Sequence, residues 1–460
     1  DLFVVRSSFK GRESRHSLFI NQGDGTFEDK AEEWGVGLST YGTHVAFFDY
    51  DRDGDLDMYL LNHSFHSERS YGEAKRLRPL VDPLAGDRIF ENTGERFIDV
   101  TAQSSIQRSA LGYGLGVAIA DINLDGWPDI YIGNDFHEND YLYLNQKNGT
   151  FKEVASEVFA YTSNSSMGND IADLNGDGYP DIVSLDMMPT TRETFMSSGG
   201  GDMPRVARIK QDLGYQMHAN HNTIQMHQGL GPKGEPVFRE MAMLKGIAKT
   251  DWSWAILAAD FTNSGHRDLY ITNGIEMLPN DLDYIEALEQ LDVKNTDDRL
   301  SPISDEEMSL LDLMPSSKSP NVAYENLGNA EFIDRSKAWG LGDRLFSNGT
   351  AWVDLDRDGD LDLVTNNTNN PASVYINQTR ERSSESSHFV RFELNGTGLN
   401  TQGIGAHITL WAGEDIQTSE HYLSRGFQSS VEPGVHFGLG DYTEDIDSVK
   451  VRWGDGSVSV

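Results

Sequence analysis

Asp49-Tyr50-Asp51-Arg52-Asp53-Gly54-Asp55-Leu56-Asp57 has the form D-x-D-x-D-G-x-x-D, and the pattern recurs along the chain. Further full copies hold Asp121, Asn123, Asp125, Gly126, Trp127 and Asp129; Asp173, Asn175, Asp177, Gly178, Tyr179 and Asp181; and Asp354, Asp356, Asp358, Gly359, Asp360 and Asp362. A decayed copy holds Asp260, Thr262, Ser264, Gly265, His266 and Asp268. This is calcium chemistry. Calcium takes roughly six to eight oxygens at about 2.3–2.6 Å, and a tight loop aims side chains 1, 3 and 5 at one centre. Glycine at position 6 permits the turn, and residue 7 (Asp55, Trp127, Tyr179, His266 or Asp360) offers its backbone carbonyl. An EF-hand needs Glu at position 12, where this chain has Leu60, Ile132, Ser184, Ile271 or Thr365. The closing carboxylate is therefore expected at position 9: Asp57, Asp129, Asp181, Asp268 and Asp362.

A short apolar run follows each position 9, so the loop is read as joining two strands rather than two helices. Asp-Gly clusters also make ordinary hairpin turns. A bare turn has no use for alternating carboxylates, which repel one another at close range. Four strong calcium loops are expected. Neutral Thr262 and Ser264 leave the fifth either a weaker site or a plain turn.

The loops sit in a longer unit. A small or apolar strand precedes each loop and a second strand follows it. A third ends on a polar residue (Asn21, Asn92, Asn145, His227, Asn326, Asn377), and a fourth begins around a phenylalanine, as in Arg96-Phe97-Ile98-Asp99. Loops start at 49, 121, 173, 260 and 354, spacings of 72, 52, 87 and 94 residues. Four antiparallel strands per repeat predict an all-β fold, a β-propeller. The G-G-x-G-x-D repeats of a calcium β-helix are absent. Six units are visible, the first and last incomplete. Asp1-Leu2-Phe3 reads as a position-9 Asp and its strand, so seven blades, further repeats upstream and an export signal are expected.

Composition narrows the partners. Against 73 acidic residues stand 37 basic ones, a formal charge of −36. Four calcium ions would leave −36 + 8 = −28, still repelling nucleic acid and anionic membranes. No stretch is long and apolar enough to span a membrane. There is no cysteine, hence no disulfide, zinc-thiolate or thiol nucleophile. Loops of this kind suit a calcium-rich compartment outside the cytosol.

The loops and their flanking strands resemble the FG-GAP/VCBS repeats of integrin α-subunit propellers. The C-terminal stretch, with Gly403-Ile404-Gly405-Ala406-His407, Arg425-Gly426-Phe427-Gln428-Ser429-Ser430 and Phe437-Gly438-Leu439-Gly440, resembles the ASPIC/UnbV domain. The pairing is similar to the cartilage acidic protein family and its bacterial relatives. It implies a propeller over residues 1–380 and a small β domain over 386–460, without implying any chemistry.

Insertions at about 187–222 and 275–320 interrupt the blades. The second reads as two short amphipathic helices, around Tyr284 and after a Ser304 cap. His218, His221 and His227 lie close in sequence, as do His63 and His66; each set is either a metal site or a set of packing and surface residues. The second strands end in a polar ring of Asn62, Asn134, Asp135, His137, Glu138, Asp186, Asn273, Glu276, Asn366 and Asn367. Such a ring can bind a ligand on a rigid scaffold or simply end strands. G-x-S-x-G, H-E-x-x-H and P-loop signatures are missing. The sequence points to a secreted or cell-surface calcium-binding propeller that binds a protein or glycan. The alternative is a carbohydrate-active or other hydrolytic enzyme using the propeller face, with Glu138, Asp186 and His66.

Overall fold

The computed structural model describes residues 1–8, 14–65, 70–198, 204–290, 309–383 and 387–460. His66 and the expected Ser304 cap lie outside these residues. The alternation of apolar strand, acidic loop and apolar strand produces six small antiparallel sheets in chain order. Blade 1 comprises Leu2–Val4, Ser17–Asn21 and Phe27–Asp29. Blade 2 comprises Gly42–Phe48, Asp57–Asn62, Arg88–Asn92 and Phe97–Asp99. Blade 3 runs through Gly114–Ala120, Asp129–Asn134, Tyr141–Asn145 and Phe151–Glu153. Blade 4 uses Asn169–Ala172, Asp181–Ser184, Thr223–Leu230 and Pro236–Glu240. Blade 5 uses Ser253–Ala259, Asp268–Asn273, Val322–Asn326 and Phe332–Asp334. Blade 6 has Ser347–Val353, Asp362–Asn367 and Ser373–Tyr375.

The first strands of blades 2 to 6 stand side by side in sequence order, which is the inner wall of a propeller-like array. Second strands are apolar on both faces because each blade is sandwiched between neighbours: Asp57–Asn62 and Asp129–Asn134 are buried throughout. Tyr59, Tyr131 and Tyr270 hold equivalent places and are almost fully buried. Removing such side chains from water contributes about 1.5–3 kcal/mol each. Asp1 takes the place of a ninth loop residue: its Oδ1 accepts the amide of Asn21 at 2.8 Å, as Asp57 Oδ1 accepts that of Asn92.

Loops from first to second strands gather on one face of the array, hereafter the loop face. Connections from second to third strands lie on the other and carry the insertions. The insertion of blade 4 forms helices Arg192–Ser197 and Pro204–Asp212, and that of blade 5 the expected helix around Tyr284, Leu282–Gln290.

The last 70 or so residues form a separate β unit. Strand His388–Phe392 pairs with Val435–Gly440, and a second sheet joins Asp415–Glu420, His407–Ala412, Ser448–Arg452 and Val458–Ser459. Its core is Ala406, Ile408, Leu410, Ala412, Val435 and Phe437. From this unit a small hairpin, Ser424–Arg425 paired with Ser429–Ser430, enters the centre of the array. The hairpin touches the inner strands of several blades. Ser424 Oγ donates to Val45 O at 2.8 Å and His44 Nε2 donates to Ser429 O at 3.1 Å. Gly426 and Asn169 exchange backbone hydrogen bonds, and Arg425 Nη1 lies 2.6 Å from Asp170 Oδ1. Phe427 packs on Trp254, ring centroids 5.1 Å apart. Glycine is needed where strand meets hairpin: a Cβ on Gly168 would stand 2.4 Å from Trp254 O and 2.9 Å from Gly426.

Candidate functional site

Four of the five acidic loops share one hydrogen-bond pattern at the first residue, and the loop at Asp354 departs from it, with Oδ1 buried and unpartnered. The first residue turns both oxygens toward loop amides: Asp49 accepts Asp53 N and Gly54 N, Asp121 accepts Asp125 N and Gly126 N, and Asp260 accepts Ser264 N and Gly265 N. Asp173 does the same with Asp177 and Gly178. The ninth residue brackets the loop. Asp57 accepts Tyr50 N and Asn92 N, Asp129 accepts Ile122 N and Asn145 N, and Asp181 accepts Leu174 N and His227 N. Asp268 and Asp362 repeat the arrangement with Phe261 and Asn326, and with Leu355 and Asn377. Thus position 9 joins the loop start to the third strand, a structural duty beyond the ligating one expected of it.

Two loops bring three carboxylates to one centre. Single oxygens of Asp49, Asp51 and Asp53 lie within 4.8 Å of one another, as do those of Asp354, Asp356 and Asp362. Asp356 and Asp358 converge with Glu381 in the same way. Asp55 Oδ1, Asp354 Oδ1, Asp358 Oδ2 and Asp360 Oδ1 are buried with no hydrogen-bond partner. Burial pushes Asp49 and Asp55 up to about 6, Asp57 to about 9 and Asp360 to about 7, each helped by neighbouring carboxylates. Crowded carboxylates that repel each other, with some oxygens buried and lacking a donor, form an all-oxygen set suited to a hard divalent cation. In the other loops the acids have partners of their own: Asn123 and Asn175 donate to Asp125 and Asp177, and Lys147 pairs with Asp125 at 3.2 Å. In the decayed loop, Thr262 Oγ1 lies within hydrogen-bond distance of Ser264 Oγ and Asp268. Trp127, Tyr179 and His266 stand at position 7 as read from sequence.

The C-terminal unit is seated on this loop face. Arg452 Nη2 lies 2.6 Å from Asp121 Oδ2, while both Glu420 oxygens accept Asp121 N. Glu432 accepts Asp354 N at 3.1 Å and pairs with Arg391 at 2.9 Å. Thr418 reaches Asp173, and Asn400 N donates to Gly54 O. At blade 5, His436 Nε2 is 2.6 Å from Asn263 Oδ1, and a Cβ on Gly438 would stand 2.1 Å from Asp260 Oδ2. All five loops are therefore in contact with the C-terminal unit. These residues are not legible in the sequence, because nothing in the spacing of Glu420, Glu432 or Arg452 marks them as partners of loops 78 to 331 residues away.

A model of FG-GAP-like repeats matches residues 1–60 and 121–184, and a model of ASPIC and UnbV matches residues 396–460. The chain carries FG-GAP-like repeats and an ASPIC/UnbV domain. It is 25% identical to cartilage acidic protein 1 of Mus musculus over 290 residues, 57% of this chain and 41% of that protein. It is 37% identical to integrin alpha-7 of Homo sapiens over 88 residues, 17% of this chain and 7% of that protein. The chain thus spans less than half the length of these curated relatives. Among solved structures, an Agrocybe aegerita lectin that recognises non-reducing terminal N-acetylglucosamine is 14% identical with a TM-score of 0.38, covering 80% of this chain and 76% of that one. At that score the likeness has no bearing on function.

Away from the ASPIC/UnbV domain, the polar strand ends of the FG-GAP blades are mostly structural. Asn62 donates to Gly86 O, Asn134 to Asn139 O, Asn273 to Pro320 O and Asn367 to Pro371 O. Asp186 accepts Ser163 Oγ and the amides of Asn164, Ser165 and Met187. Glu138 pairs with Arg78 at 3.0 Å, and His137 lies edge-on to Tyr71. Asp135 accepts Phe136 N, and burial pushes it up to about 7. Glu276 accepts Asn369, while Asn366 is exposed. Among the described residues His218, His221 and His227 do not form a metal cluster. His227 is fully buried, stacks on Tyr179 and bonds to blade 3, whereas His221 bonds to Asn222 O. His63 lies 3.0 Å from Ser7 Oγ.

Proposed function

We propose that this chain is an extracytoplasmic, calcium-stabilised propeller that binds another protein without catalysis. The propeller would run over residues 1–380 and the ASPIC/UnbV cap over 386–460. The carrying observation is that single oxygens of Asp354, Asp356 and Asp362 lie within 4.8 Å of one another, as do those of Asp356, Asp358 and Glu381, while one oxygen each of Asp354, Asp358 and Asp360 is buried with no hydrogen-bond partner. Calcium there would be held by Asp354, Asp356, Asp358 and Asp362, with the carbonyl of Asp360, and would neutralise their repulsion; Asp49, Asp51, Asp53, Asp55 and Asp57 form the equivalent set. No helix among the described residues is long and apolar enough to cross a membrane, and the chain has no cysteine. With the loop face covered by the C-terminal domain, partner binding falls to the opposite face, where the insertions lie. The hydrolytic alternative draws no support from Glu138 and Asp186, whose oxygens are taken up by Arg78 and by backbone amides. The test is melting in calcium and in chelator. Chelator should lower the melting temperature markedly, and Asp358→Ala should reproduce part of that loss. An unchanged melting temperature would overturn the calcium reading.

A further inference from the structure

Taking the chain as a protein-binding module, we infer that the insertion on blade 4 is its docking groove, and that the groove takes an acidic, amphipathic peptide segment. Helices Arg192–Ser197 and Pro204–Asp212, together with the His218–Ala219 strand, enclose a cavity of about 370 Å³. Met188, Phe195, Ala207 and Met217 supply its apolar wall. Met217 is 56% exposed on that wall, and the apolar surface continues outside it through Met196, 64% exposed, and Ile209, 37%. Eight of the chain's 13 methionines fall between residues 187 and 243. Methionine is unbranched and polarisable, and surfaces rich in it adapt to the side chains of a bound peptide.

Charge selects the peptide. Between residues 187 and 222 four cations oppose three acids, a balance of +1, which leaves −37 on the other 424 residues. Arg192, Arg205 and Arg208 are exposed on the two helices. An acidic segment is thus repelled by most of the molecule and drawn to this crest. An anionic polysaccharide shares the charge but brings no apolar side chains to bury against Met196 and Met217. The loop face cannot serve, since the C-terminal domain occupies it.

The experiment uses the full chain in calcium and fluorescence anisotropy with a short helical peptide bearing leucines on one face and glutamates on the other. A twin with lysines for glutamates and a dextran sulfate competitor serve as controls. The acidic peptide should bind with an affinity that falls with salt, and the lysine twin at least about tenfold more weakly. Arg205→Glu/Arg208→Glu and, separately, Met217→Asp should each cost about tenfold in affinity with melting unchanged, because these side chains are exposed. Failure of the acidic peptide to bind, or equal binding by both variants, would overturn the inference. So would dextran sulfate binding that Met217→Asp leaves intact, which would mark a polyanion site. Chelator-sensitive melting alongside failed peptide binding would sink the groove alone and leave the propeller reading standing.

Discussion

His227 Nε2 lies 3.1 Å from the carbonyl oxygen of Ile122, which ties the third strand of blade 4 to the acidic loop of blade 3. Asparagine makes the same tie elsewhere: Asn145 Nδ2 to Tyr50 O, Asn326 Nδ2 to Leu174 O and Asn377 Nδ2 to Phe261 O. Each reaches the second residue of the preceding loop, so these side chains staple blade to blade. His227 Nδ1 accepts Gly229 N at 2.9 Å, which makes Nε2 the protonated, donating nitrogen. Burial lowers the pKa of His227. Its folded value lies below the unfolded one, so its contribution is complete above about pH 6.5 and is lost as pH falls through the folded value. His227→Ala should cost about 2–4 kcal/mol, by lost packing against Tyr179 and Phe238 and an unpaired Ile122 carbonyl. His227→Asn should recover part of the loss and remove that acid sensitivity. Denaturant melts at pH 5 and pH 8 measure both.

The opposite pH dependence is expected from the second-strand tyrosines and their acids. Tyr59 OH donates to Asp87 Oδ2 at 2.8 Å and Tyr131 OH to Asp140 Oδ2 at 2.7 Å, while Asn62 N and Asn134 N donate to the other oxygens. Burial pushes both carboxyls up to about 7. Here the folded value lies above the unfolded 3.8, so the folded state holds the proton more tightly. The contribution is greatest at low pH and is lost as pH rises from about 4 through 7. Asp87→Asn/Asp140→Asn keeps an acceptor for each amide and removes the ionisation. The double variant should gain on the order of 2 kcal/mol relative to the parent between pH 5 and pH 8. Parallel stability curves across that range would show that these carboxyls are not the source.

The hairpin at the centre of the array gives a test of how far the cap and the blades form one unit. Gly426 has φ +66°, and a Cβ there would stand 3.0 Å from Ile256 O and 3.3 Å from Ala255 Cβ. Gly426→Ala should strain the hairpin and cost about 1–3 kcal/mol. Arg425→Ala leaves Asp170 buried without its 2.6 Å partner, which should cost about 3–5 kcal/mol. Hydrogen exchange at Gly426 N, bonded to Asn169 O at 3.0 Å, reports hairpin release directly. Protection unchanged in both variants would mean that the hairpin is held by the rest of the cap.

Much of the blade architecture was legible because its signals are local. The loop from Asp49 to Asp57, the strand Asp57–Asn62 and the terminal asparagines of third strands all fall within one repeat. Even Asp1 could be placed by pattern, and its bond to Asn21 follows the other repeats. The purpose of those asparagines was not legible, since Asn145 meets Tyr50 across 95 residues. Nor was the role of Arg425 or Glu420, whose partners Asp170 and Asp121 belong to other blades. The polar ring, open in sequence between a binding surface and plain strand ends, is largely strand-end hydrogen bonding: Asn62 and Asn273 satisfy the carbonyls of Gly86 and Pro320. Sequence alone could not separate the two, as both uses call for the same residue.

The decayed loop of blade 5 discriminates between a cation site and a turn. Its buried Asp260 and Asp268 match the other loops, but Thr262 stands where they have Asp or Asn, and Ser264 where they have Asp. Thr262 Oγ1 lies 3.1 Å from both Ser264 Oγ and Asp268 Oδ2, so its one proton is donated within the loop, to an oxygen that an ion would otherwise take. Ser264 is exposed, so an aspartate fits there without a steric penalty. Ser264→Asp adds a fifth-position carboxylate beside two buried acids. In chelator it should lower stability by about 0.5–1 kcal/mol through like-charge repulsion. In millimolar calcium the sign should reverse, because the added ligand raises affinity and binding to the folded form stabilises it by mass action. The difference between melting temperatures with and without calcium should therefore be larger in Ser264→Asp than in the parent. An equal or smaller difference would mean that blade 5 carries a turn held by its own hydrogen bonds and takes no ion.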